Sequence, residues 1–488
     1  MTGILYYFAS ILAGLSVAML LPVFVAASFG EMRVMQDFAL VATLTVFVAG
    51  ATSFALSGQG RRLANAGGYS LIVVIWVATP LIASLPMVVA TELSFIDALF
   101  DAVSGLTTTG ASVVTRVESL PKALIFWRCE LQWLGGFLTL LSILMILAPA
   151  GVGGLPNRHI RLLEASGRQD DRRIEHLLQE TAIGYGAVSL ACFVGLMVAG
   201  LPIFDALCLT FTTVSTGGFL PHDGTIADTA GPGAQLWLCL FMIIGATSVL
   251  WHSMLVQRRW HMLLQHRESY FVIGTALVLG VVYAFVLFRA AGSADVLPPL
   301  TALREGVFTA VSLVSTTGFE VREGGFAVLA FPLVLFIAMI GGGAFSTAGG
   351  LKQYRFGGML VQAFRELDRI LYPHGIRPAR FGSQAYDIQM MKAVWSSFAV
   401  LTGVVLISAI ILSLNMPDAE GGILAAVALL SNSGPIYESA WQEGIRTWPL
   451  FGAFESWEKG FAIFLMIIGR IEILALFGAI NRTYWYHR

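Results

Sequence analysis

Charge is scarce in this 488-residue chain: Asp, Glu, Lys and Arg make up 12% of it, against about 25% in soluble domains, while 57% is hydrophobic. A water-soluble fold is thereby excluded. The formal net charge of -1 leaves no basic surplus to hold a phosphate backbone, so no nucleic-acid partner is expected. Cysteine is scarce too. Cys129, Cys192, Cys208 and Cys239 lie in or beside apolar runs with no CxxC pair, so they read as small core residues and signal neither a disulfide framework nor a zinc ribbon. His159, His176, His222, His252, His261, His266, His374 and His487 form no HExxH or similar ligand pair, and no transition-metal site is expected.

Long apolar runs, by contrast, are plentiful. A helix crossing the ~30 Å hydrocarbon layer needs about 20 residues, and ten stretches qualify: Ile4 to Ala27, Phe38 to Leu56, Tyr69 to Ala90, Leu124 to Leu147, Thr181 to Gly200, Gln235 to Leu255, Tyr270 to Phe288, Phe326 to Phe345, Met391 to Leu414 and Gly460 to Ile480. The first has no Lys or Arg ahead of it and outruns the apolar part of a signal peptide, so it is expected to remain as a span. Between spans lie Thr/Ser/Gly-rich segments too short to cross and too apolar for ordinary loops. They read as re-entrant. Aligned without gaps they are FIDALFDAVSGLTTTG ending at Gly110, IFDALCLTFTTVSTGG at Gly218, LREGVFTAVSLVSTTG at Gly318 and AEGGILAAVALLSNSG at Gly434, spaced by 108, 100 and 116 residues. The expected architecture is an all-α polytopic membrane protein: two leading helices (1–60), then four tandem units of span, short helix, glycine hairpin and span (61–178, 179–268, 269–390 and 391–488) around one central pathway.

With the hairpins on one side, 19 of the 29 Lys and Arg fall in loops on the other side, eight on the hairpin side, and Arg128 and Arg470 within spans. The basic side faces the cytoplasm, so the hairpins open outward and both termini lie inside. The outer side carries 19 Asp and Glu, and an acidic mouth concentrates cations.

Asp97, Asp205 and Glu305 each stand 13 residues before a hairpin glycine, where a carboxylate complements the positive start of a short helix. The helix end then points partial negative charge at the axis, and Thr108-Thr109-Gly110, Thr216-Gly217-Gly218, Thr316-Thr317-Gly318 or Asn432-Ser433-Gly434 follows. Glycine lets successive carbonyls face one side, and four converging hairpins make a ring that replaces the hydration shell of a bare cation. A single TTTG would be read as helix packing by small residues; four in register favour a pore. An ion-coupled secondary transporter (proton or sodium) is the alternative, and would show inverted repeats, whereas these units all enter from one side. An intramembrane enzyme needs a nucleophile and a base together, and the one tempting serine, Ser346, has only His252 at a span end. No enzymatic activity is expected.

SGLTTTGAS, TTVSTGGF, SLVSTTGFE and LLSNSGP, with WRCELQWLGGF at Trp127 to Phe137, GGGAFSTAGGLK at Gly341 to Lys352 and IIGRIEILAL at Ile467 to Leu476, resemble the TrkH and KtrB potassium transporter family along essentially the whole chain. The leading pair of spans is more similar to the TrkH type. This resemblance implies a gated, channel-like potassium uptake pore in the bacterial cytoplasmic membrane, a homodimer, with potassium held by the backbone carbonyls of the twelve hairpin residues. It implies also that Gly341, Gly342, Gly343, Ala344, Phe345, Ser346, Thr347, Ala348, Gly349 and Gly350 form an intramembrane gate below that filter. Three consecutive glycines, each costing roughly 1 kcal/mol in a helix relative to Ala, predict an unwound break there. A phosphate-binding loop is disfavoured, because Leu351-Lys352-Gln353 lacks the Gly-Lys-Ser/Thr ending.

Arg470 is costly at mid-span; the resemblance places it on the pathway as an electrostatic barrier, and pairing with Glu472 or Glu130 is the structural alternative. No cofactor is expected in this chain. The basic loop Lys352 to Lys392 reads either as a segment meeting anionic lipid or, by resemblance, as a docking surface for a separate cytoplasmic ring of the TrkA type that binds NAD and ATP. Ala111 and Pro435 stand where the second and third units have Phe219 and Phe319, so fourfold coordination is expected to be approximate. All four glycines are present, including Gly110, whose replacement by serine accompanies sodium transport in plant relatives, and potassium preference is the expectation that follows.

Overall fold

A computed structural model describes residues 2–58, 65–147, 170–290, 298–372, 380–381, 384–385, 388–439, 441 and 448–471. Among these the only strand pairing is a two-residue antiparallel contact between Arg380–Phe381 and Gln384–Ala385; the architecture is helical, as the apolar runs predict. Seven helices are long and apolar enough to cross a bilayer: Thr2–Phe29, Met32–Ala55, Gly67–Ala90, Lys122–Leu147, His176–Val198, Arg267–Arg289 and Ile388–Asn415. In hydrocarbon only a helix satisfies its own backbone groups, and this number of spans makes a multi-pass membrane protein.

Of the three other expected spans, two are not single straight helices and the third is described only in part. Gln235 to Leu255 divides into Pro232–Ala246 and Val249–Val256, bent by 103°. The break has a partner. Gly343 N–H donates to the Ala246 carbonyl (2.8 Å), Thr347 N–H to the Gly245 carbonyl (3.1 Å), and Val249 N–H to the Phe345 carbonyl (2.9 Å), so the groups freed at the bend are satisfied by the glycine-rich segment. Phe326 to Phe345 holds the end of a 3-10 turn, Gly325–Val328, and the ten-residue α-helix Phe331–Ile340, which stops at Gly341 with φ at 65°. The last helix starts at Ser456 and is described to Ile471; residues 472–480 of that expected span lie outside the described residues. The expected basic loop is instead helical over Gln353–Leu371.

Four short helices, Phe95–Leu106, Ile203–Val214, Pro299–Val314 and Ala419–Leu430, occupy the re-entrant segments. The second packs on Lys122–Ser142, the helix that trails the first; the third packs on Pro232–Ala246, which trails the second; the fourth packs on Phe331–Ile340, which trails the third. Ser456–Ile471, which trails the fourth, packs back on the first. The arrangement closes on itself. Close approach within it needs glycine at Gly135, where a Cβ would stand 1.8 Å from the Leu106 carbonyl oxygen.

Asp97 and Asp205 lie in the first turns of their helices. Glu305 does not, because the third short helix begins earlier, at Pro299; its carboxylate pairs with Arg322 at 2.5 Å.

Candidate functional site

The four short helices end in the same way. Thr108, Thr216, Thr316 and Asn432 all take left-handed backbone, with φ of 53°, 55°, 59° and 51°. Two backbone bonds seal each end: Thr108 N–H to the Gly105 carbonyl (2.9 Å) and Thr109 N–H to Ser104 (2.8 Å) in the first, and their counterparts Thr216 to Thr213 and Gly217 to Thr212, Thr316 to Leu313 and Thr317 to Ser312, Asn432 to Leu429 and Ser433 to Ala428. This is the Schellman cap, made here without glycine at its left-handed position. Such backbone costs roughly 1–2 kcal/mol for a residue with a Cβ, and strain of this kind gathers at functional sites. The cap turns each chain away from its helix.

Glycine comes two residues later, with φ of 77° at Gly110, 91° at Gly218 and 80° at Gly318. Gly434 differs. Its φ is -53°, because it caps the short helix Pro435–Glu438.

All twelve hairpin residues are buried, and they meet in cyclic order. A Cβ on Gly110 would stand 2.3 Å from the Gly217 carbonyl oxygen, one on Gly218 2.2 Å from that of Thr317, one on Gly318 2.9 Å from Pro435, and one on Gly434 2.4 Å from the Ala111 nitrogen. Gly434 N–H also donates to the Thr109 carbonyl at 2.6 Å. The ring has unequal members, in line with the Ala111 and Pro435 departures. On one side of it a cavity of about 260 Å³ is lined by Gly110, Gly218, Gly318 and Pro435 together with Glu320 and Glu438.

Arg128 buttresses this side. It pairs with Asp101 through Nε (2.6 Å) and Nη2 (3.1 Å), gives a further bond from Nη2 to Ser112 Oγ (2.6 Å), and lies over the Phe219 ring. Both charges are buried. Sequence reasoning placed Arg128 only within a span and gave no role to Gln132, which bonds the second hairpin from the same helix; their four-residue spacing, which puts both on one helix face, was the available signal.

The glycine-rich segment lies against the opposite side of the ring. Gly349 N–H donates to Thr316 Oγ1 at 2.7 Å, and a Cβ on Gly349 would stand 1.8 Å from the Ser431 carbonyl oxygen. Thr347 Oγ1 donates to the Val214 carbonyl at 3.2 Å. The Glu268 carboxylate accepts Ala344 N–H, and Lys352 Nζ donates to the Ala348 carbonyl. Next to this segment Arg470 lines a cavity of about 50 Å³ with Thr139 and Ala348. Its Nε donates to Thr139 Oγ1 at 2.7 Å, and among the described residues Nη2 has no hydrogen-bond partner. Among the described residues no carboxylate pairs with Arg470, Glu130 included; Glu472 lies outside them. Ser346 donates its hydroxyl to the Gly343 carbonyl and His252 bonds Thr247, so these two are not joined as nucleophile and base.

The profile of the TrkH family, described as a cation transport protein, matches residues 32–480. The Trk system potassium uptake protein TrkH of Salmonella typhimurium is 31% identical over 91% of this chain and 92% of its own length. The protein of the same name from Halomonas elongata is 29% identical over 96% of each. The crystal structure of the potassium transporter TrkH from Vibrio parahaemolyticus matches with a TM-score of 0.85 at 27% identity, covering 99% of both chains.

Proposed function

The chain belongs to the TrkH family of cation transport proteins, and from that membership we propose that it takes up potassium through the ring of four hairpins. One observation carries this reading: the hairpins touch in closed cyclic order, first to second, second to third, third to fourth and fourth to first. Backbone at membrane depth that is neither helix nor barrel is tolerated where it lines a watery path or is buried in protein, and a carbonyl ring suits a monovalent cation stripped of water. Thr108, Thr109, Gly110 and their nine counterparts are the filter in this reading. Gly341 to Gly350 is the gate, supported by its contacts with Thr316 and Ser431, and Arg470 beside it opposes cation passage while the gate is shut.

The membrane is the bacterial cytoplasmic membrane, a reading supported by family membership, and the filter faces outward and both termini inward on the strength of the basic-residue asymmetry. Gating comes from a separate cytoplasmic subunit that holds the nucleotide, and the protein works as a homodimer. The helix Gln353–Leu371 supports a docking role: Phe364, Leu367 and Ile370 are exposed on it at helical spacing, beside Arg365 and Arg369.

Tracer uptake into liposomes tests the reading. Potassium is expected to enter faster than sodium; equal rates, or no uptake by folded protein with and without its cytoplasmic partner, overturn it.

A further inference from the structure

In the first and third hairpins the middle threonine turns its hydroxyl back toward its own short helix. Thr109 Oγ1 lies 2.7 Å from Thr107 Oγ1, and Thr317 Oγ1 lies 2.7 Å from Ser315 Oγ. The second hairpin has Gly217 at that position and brings no side chain to the same space. The space is filled from elsewhere. A Cβ on Gly217 would stand 2.3 Å from Cδ of Gln132, which belongs to Lys122–Ser142, the trailing helix of the neighbouring unit. The amide is buried and engaged at both ends: Nε2 donates to the Gly217 carbonyl at 2.8 Å, and Oε1 accepts Phe219 N–H at 3.2 Å. A carbonyl oxygen that accepts such a bond is aimed toward its donor, so the direction of the Gly217 carbonyl is set from outside its own unit.

We propose that Gln132 is the positioning residue that fixes cation specificity at the second hairpin, standing in for the side chain that the first and third hairpins supply themselves. This rests on the potassium reading above. Gln132 and Gly217 are a matched pair, since a larger residue at 217 and the full amide at 132 exclude one another.

The test uses the full chain reconstituted in liposomes, with the potassium-to-sodium permeability ratio measured and folding checked by gel filtration and thermal unfolding. Gln132→Ala is expected to lower the ratio by about tenfold, a difference of about 1.4 kcal/mol. Gly217→Thr alone collides with Gln132 and lowers it too. The double variant Gln132→Ala with Gly217→Thr is expected to regain selectivity, because Ser215 then precedes a threonine as Ser315 does. Trp133→Phe, which removes a 2.9 Å bond to Ser189 from the same helix, is the control: it lowers stability and leaves the ratio unchanged. If Gln132→Ala does not fold, Gln132→Met keeps the length of the side chain, removes the donor to Gly217 and the acceptor for Phe219, and is expected to lower the ratio instead. A selective wild type whose ratio is unaltered by either substitution at 132 overturns this inference alone. A wild type that does not discriminate overturns the potassium reading and this inference together.

Discussion

Gly110 shows how little latitude one hairpin residue has. Its φ is 77°, and a Cβ there meets the Gly217 carbonyl oxygen at 2.3 Å, so any side chain is strained and pushes two neighbouring hairpins apart. Gly110→Ser is expected to lower the potassium-to-sodium permeability ratio by about tenfold, measured by flux in liposomes; an unaltered ratio would contradict the filter assignment. The Asp101–Arg128 pair makes a different kind of demand. Breaking a buried ion pair from one side leaves an uncompensated charge and costs about 3–5 kcal/mol, whereas replacing both members by apolar residues is far milder. Arg128→Met should therefore lower thermal stability in detergent more than the double variant Asp101→Leu with Arg128→Met does.

The glycine-rich segment and the broken helix beside it exchange backbone bonds, and Arg470 sits next to the glycine-rich segment. If that cation opposes passage, Arg470→Ala raises resting potassium flux several-fold in folded protein, read as tracer leak without the cytoplasmic partner. This is also the scale at which the sequence was partly misleading. Hydropathy sees composition, and Gln235 to Leu255 is apolar throughout, so it reads as one span; nothing in those residues says that Gly343, Phe345 and Thr347, roughly a hundred positions on, complete its backbone. The triple glycine, in contrast, announced the break at Gly341. The hairpins were legible because register repeats: four segments aligned without gaps end in four equivalent caps. Gly434 escaped that logic, since it serves as the N-cap of the short helix Pro435–Glu438, and Glu305 did as well, since Pro299 starts its helix early. Gln132 was hidden because its partner lies in the next unit.

Taken whole, the molecule is a ring made by one chain, and its cargo crosses an electrical field. Entry of one positive charge into a negative interior is favoured by about 2.3 kcal/mol per 100 mV, so tracer potassium influx should steepen as an imposed inside-negative potential grows; influx indifferent to potential would exclude a conductive path. The ring also has an order of manufacture. Its closing piece is Ser456–Ile471, which packs on both the first and the fourth short helices and accepts the Asn432 side chain at the Met466 carbonyl. A ribosome therefore delivers all four hairpins before this helix, and the enclosure stays open along one flank until Ser456–Ile471 packs against the first and fourth short helices. Premature stop codons just upstream of Ser456 leave all four hairpins encoded and the ring unfinished.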